Sequence, residues 1–189
     1  MDSKRYSLIA RLLHWTVAVL VLIQIGLGFG ADLSDRPMSA RLLDQHVRFG
    51  LLIAALMVLR LSWRLASPPP SIEVSGWRKR TAKLTHGALY LLLLVLPFSG
   101  YVLWAWTGPS LDWWGIARVP ILFRGSENEL WRSVAGYGHQ YGAYVVSALV
   151  VLHIAAALHH QFVLRDGLIG KRMGFKALNG GGRDDHAAK

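Results

Sequence analysis

Of the 189 residues, 53% are hydrophobic and only 17% are charged, against about 25% charged in a typical soluble domain; the chain has too little polar surface to face water all round and too much apolar content to be disordered. It contains no cysteine, which excludes disulfides, iron–sulfur clusters and thiolate ligation and leaves any metal chemistry to histidine, methionine or carboxylates. The net charge of +10 would suggest nucleic acid in a soluble protein, but is read here as Lys and Arg gathered on one side of a membrane.

A hydrocarbon core about 30 Å thick takes about 20 apolar residues in a helix, and four stretches reach that length: 8–30, 45–65, 82–106 and 140–164. The first is too long, and lacks the small-residue cleavage site, for a signal peptide. It ends at Asp32-Leu-Ser-Asp-Arg-Pro37, the second at Pro68-Pro-Pro70 and the third at Gly108-Pro109, because proline cannot continue a helix. The segment 110–138 carries Trp113, Trp114 and Trp131, side chains that favour membrane interfaces, and is expected to lie along the surface. The expectation is an all-α integral membrane four-helix bundle over residues 1–170, with a disordered tail over 171–189.

Fifteen of the 21 Lys and Arg fall near the N-terminus, between residues 60 and 83, or after residue 164. The other six are Arg36, Arg41, Arg48, Arg118, Arg124 and Arg132, and Asp32, Asp35, Asp44, Asp112, Glu127 and Glu129 cancel them on the same side. The positive-inside rule therefore places both termini of this multi-pass membrane protein in the cytoplasm.

Ionisable residues inside a membrane are functional candidates by default, and here they are histidines. His139 and His153 are 14 residues apart; at 100° per residue this falls about 40° short of four turns, so both rings project from one face, separated by about 21 Å. That spacing suits two haems, one nearer each side of the bilayer, each needing a second imidazole. Chain direction selects the partners: His46 opens the second helix at the depth of His139, and His14 lies near the depth of His153. Gly28 is 14 residues after His14 and leaves room on the same face, widened by Gly26 and Gly30. Arg60, 14 residues after His46, is placed to pair with a haem propionate. His160, one heptad beyond His153, and His86, at the start of the third helix, could donate to a quinone; His159 points away and is read as an interface residue.

Set in order, Leu13-His-Trp15, His46-Val-Arg-Phe-Gly50, Leu59-Arg-Leu-Ser-Trp-Arg64, His86, Leu96-Pro-Phe-Ser-Gly-Tyr101, Trp114-Gly115, Val119-Pro120, His139, Leu152-His-Ile-Ala-Ala-Ala-Leu-His-His160 and Arg165-Asp166 resemble the bacterial cytochrome b561 family, small four-helix di-haem membrane cytochromes. The resemblance covers residues 5–170. It implies that His14 and His153 bind one haem b and His46 and His139 the other, and that His160 matches a position associated with ubiquinone. A polar residue found in the family two positions before the first haem ligand is Leu12 here, with Arg11 as a substitute. The resemblance further implies superoxide as periplasmic donor and ubiquinone as acceptor; an anionic donor would want nearby positive charge, for which Arg48 and Arg132 are candidates, acting locally because that face sums to zero. Two alternatives stay open: a cytochrome b subunit serving a periplasmic redox protein, and a histidine-lined transporter or metal-ion protein. The last would want carboxylates deep within the helices, and the four stretches hold none.

Overall fold

A computed structural model describes residues 6–68, 76–108, 110–122, 129–165 and 173–174. It is mostly helical. Helix α1 spans Leu8–Leu33, α2 Arg36–Ala66, α3 Trp77–Thr107 and α4 Glu129–Leu158, and α4 runs on into a π-helical turn over His159–Val163. Each of the four is long and apolar enough to cross a membrane.

The ends follow from capping. Ser7 accepts from the Ala10 N–H to open α1. Asp35 accepts from the Met38 N–H to open α2, with Pro37 in the first turn, where its missing N–H costs nothing. Three helices begin earlier than the apolar stretches do: α2 at Arg36 rather than 45, α3 at Trp77 rather than 82, α4 at Glu129 rather than 140. Their first turns are polar, so hydropathy does not register them although hydrogen bonding continues. Trp131 accordingly lies within α4, not on an interfacial segment.

A small hairpin adds to the helical bundle. β1 (Leu111–Trp113) pairs antiparallel with β2 (Ala117–Val119) in the register Leu111↔Val119. Trp114 (φ 50°) and Gly115 (φ 73°) turn the corner, both in the left-handed region that such a tight turn requires. The hairpin is pinned to α2: the Trp113 indole donates to the Arg48 carbonyl and the Trp114 indole to Gln45 Oε1.

Packing runs α1 on α2, α2 on α3 and α3 on α4. Where α1 and α3 begin will be called the N-terminal side, and the opposite end the hairpin side. Between them lies a core of Val17, Val21, Ile53 and Met57, against which Leu93 and Tyr90 pack. Large apolar side chains such as Val19, Leu91 and Val151 face outward, as a lipid surroundings demands.

The four helices share one register of heptads. His14, Arg60, His86 and His153 mark the N-terminal side; seven residues along each helix lie Val21, Ile53, Leu93 and Val146; seven further lie Gly28, His46, Gly100 and His139. The middle residues of α1, α2 and α4 are buried to 5% exposure or less. Two polar layers thus flank a dry one.

Two residues of the expected tail lie against α1: the Trp15 indole donates to the Met173 carbonyl and Arg11 Nη1 to the Gly174 carbonyl, at 3.2 and 2.6 Å. The rest of 171–189, like Pro69, Pro70, Pro109 and Arg124, lies outside the described residues.

Candidate functional site

On the hairpin side, the rings of His46 and His139 face each other with centroids 6.1 Å apart and planes at 79°. Backbone glycine makes the room. A Cβ on Gly28 would stand 3.2 Å from His46 Cε1, and one on Gly100 would stand 3.0 Å from His139 Cε1, both inside ordinary carbon contact of about 3.5–4.0 Å. What Gly28 accommodates is therefore the His46 ring itself. Gly26 is exposed with open space around a Cβ, and a Cβ on Gly30 would meet Leu42 at 3.5 Å.

Hydrogen bonds fix which nitrogen each ring presents. His46 Nδ1 lies 3.2 Å from the Gln24 carbonyl, an acceptor only, so Nδ1 carries the proton and Nε2 keeps its lone pair. The Gln24 side chain returns the contact, donating to the His46 carbonyl at 2.9 Å. His139 Nδ1 is 2.9 Å from Ser99 Oγ, and that hydroxyl spends its one proton on the Leu96 carbonyl, also at 2.9 Å. Ser99 then accepts from Nδ1–H, and His139 too presents a free Nε2.

On the N-terminal side, the His14 and His153 rings lie 6.4 Å apart at 75°. His86 comes closer still to His153, at 5.4 Å. Arg60 Nε donates to the Tyr90 hydroxyl at 3.0 Å, and its Nη1 is buried without a partner. The guanidiniums of Arg60 and Arg64 lie 5.6 and 5.9 Å from the Tyr90 ring centre, so two cations share one aromatic ring.

Two imidazoles binding opposite faces of one metal ion need a defined gap. Two bonds of about 2 Å, with about 1.2 Å from nitrogen to ring centre on each side, give roughly 6.4 Å. The centroid separations of the two pairs, 6.4 and 6.1 Å, are compatible with that span. Among the described residues, no three His or acidic groups gather as a bare-metal cluster. The donor set, two neutral nitrogens with an orphaned guanidinium N–H nearby, fits a metal carried in a macrocycle with acidic side arms.

The remaining expected residues are spread more widely. The His160 ring packs on His159, 6.2 Å away. Arg11 donates to Gly174. Arg48 is clamped by Asp44, with Nη2 donating at 3.0 Å, so its charge is largely offset, whereas Arg132 is exposed. The sequence reading passed over Gln24, Tyr90, Ser99 and Gly100. Gln24 is a lone amide in the apolar run of α1, a signal in itself, and Gly100 stands 14 residues after His86 just as Gly28 stands 14 after His14.

Comparison with known proteins bears on this arrangement. The family model described as prokaryotic cytochrome b561 matches residues 5–176. Cytochrome b561 homolog 2 of Escherichia coli is 30% identical over 175 residues, 90% of this chain and 92% of that protein. The probable superoxide oxidase CybB of Yersinia pestis is 29% identical, covering 90% and 96%. Cytochrome b562 of Cereibacter sphaeroides is 26% identical, covering 89% and 94%.

Proposed function

The chain belongs to the prokaryotic cytochrome b561 family, membrane electron-transfer proteins that carry b-type haem, and from that premise we propose that it holds two haems b and passes electrons between a donor on the hairpin side and ubiquinone on the N-terminal side. His14 and His153 hold one haem and His46 and His139 the other. The observation that carries this reading is the pair of ring separations, 6.4 and 6.1 Å, each the span of two imidazoles on one iron. The haems supply one-electron chemistry when bound.

The rest is work for the protein. Gln24 and Ser99 hold Nδ1–H of His46 and His139, which leaves each Nε2 free for a haem iron that the pair would bind. Tyr90 holds Arg60 with an N–H left over for a propionate. Val21, Ile53 and Val146 keep water out of the space between the sites. His160 hydrogen-bonds the quinone carbonyl and delivers the proton that its reduction requires.

The hairpin side is periplasmic and both termini are cytoplasmic, supported by the uneven distribution of Lys and Arg. Superoxide is the proposed donor, by likeness to the Yersinia relative's printed name. A second reading, a periplasmic redox protein as donor, is favoured by the Arg48–Asp44 pair, which removes a charge that an anion would seek. Stopped-flow mixing of the oxidised protein with superoxide and, separately, with ubiquinol tests the assignment. Fast haem reduction by both supports it, and reduction by ubiquinol alone favours the protein-donor reading.

A further inference from the structure

The two histidine pairs are not equivalent. On the hairpin side each ring donates from Nδ1, His46 to the Gln24 carbonyl and His139 to Ser99. On the N-terminal side, among the described residues, neither His14 nor His153 makes a ring hydrogen bond; the His86 ring lies 5.4 Å from His153, the Arg60 charge acts on both rings, and Arg64 shares the Tyr90 ring with Arg60.

These differences push an iron potential in opposite directions. An imidazole that donates from Nδ1 becomes a more basic ligand at Nε2, and electron donation to iron favours the more highly charged ferric state. Two such bonds on one iron lower its potential. Near the other pair, guanidinium charge offsets the negative charge of a propionate and opposes the ferric state, which raises the potential. Hydrogen bonding and local charge are the levers available when each haem would be held by two histidines.

We propose that Ser99 and the Gln24 carbonyl are positioning groups that make the hairpin-side haem the lower-potential of the two, so that electrons run downhill toward the N-terminal side. The proposal rests on the haem ligation given above. One-electron transfer between haems bound at the two sites would break no bond, and His46 and His139 would keep their Nδ1 protons in place throughout. A donor is thus oxidised at the hairpin side and an acceptor reduced at the other. Arg60 and Tyr90 serve the same gradient from its high end, and the dry layer of Val21, Ile53 and Val146 between the pairs keeps the two environments distinct.

Spectroelectrochemical titration of the detergent-solubilised holoprotein tests this, with haem content measured on each sample. Ser99→Ala removes the hydroxyl that accepts from His139, leaving the Leu96 carbonyl beside the ring, without adding bulk, and Ser99→Thr keeps the hydroxyl. In Ser99→Ala, the lower-potential component should rise while the other stays. A tenfold change in the electron equilibrium between the haems would read as 59 mV at one electron. Ser99→Thr should titrate as the wild type, which a merely steric role for the side chain would not give. Arg60→Gln should lower the higher-potential component alone. Two haems per chain with neither component moved in Ser99→Ala, or with the higher one moved, overturns the gradient and leaves the ligation standing. One haem per chain in the wild type overturns both.

Discussion

Adding one methyl group at Gly100 should empty the hairpin-side haem site. The new Cβ would stand 3.0 Å from His139 Cε1, 3.5 Å from Nδ1 and 3.8 Å from Nε2. Carbon atoms rest at about 3.5–4.0 Å, so the ring must retreat by about 0.5 Å or more. Metal–ligand distances tolerate only about 0.2 Å. Retreat also pulls Nδ1 from Ser99, now 2.9 Å away. Gly26→Ala is the control: nothing lies within 4 Å of its Cβ, and an exposed helical glycine replaced by alanine gains about 1 kcal/mol. Purified from the same expression conditions and assayed as pyridine haemochrome, Gly100→Ala should fall from two haems per chain toward one. Gly26→Ala should keep both, with an unchanged or higher melting temperature. Full haem content in Gly100→Ala, with unaltered spectra, would refute the claim that this glycine seats the ligand ring.

His160→Ala should leave both haems bound but slow electron exchange with a soluble ubiquinone analogue by about 100- to 10,000-fold, the usual scale of general acid–base help; stopped-flow haem oxidation at an unchanged rate would remove His160 from the quinone site. The near-perpendicular ring planes, 75° and 79°, should give strongly anisotropic low-spin ferric EPR signals, whereas a rhombic spectrum of parallel imidazoles would contradict the ring orientations. Reporter fusions active only in the cytoplasm should work at either terminus, and a periplasm-only reporter active after residue 189 would invert the topology.

The sequence carries the membrane architecture because lipid imposes it: twenty apolar residues in a row announce a span whatever surrounds them. Helix starts are less visible. Residues 36–44, 77–81 and 129–139 continue the hydrogen-bond ladder in polar sequence, so only the Asp35 cap and Pro37 betray where α2 begins. The facing histidines were legible because a rigid helix converts a 14-residue spacing into a direction, and the same register would have exposed Gly100 had it been carried from His86. The Gln24 carbonyl was not legible, since its partner is a backbone atom and any residue could supply one. Nor was the approach of His86 to His153, which depends on how α3 leans on α4 rather than on either sequence alone.

The central claim is that two facing histidine pairs hold two separate haems, and one comparison tests it directly: haem per chain in the wild type, His139→Ala and His153→Ala, with redox titration of each. The account predicts two haems in the wild type and about one in each variant, the two survivors titrating at different potentials. A wild-type ratio of one, or two variants that keep the same haem, would contradict it.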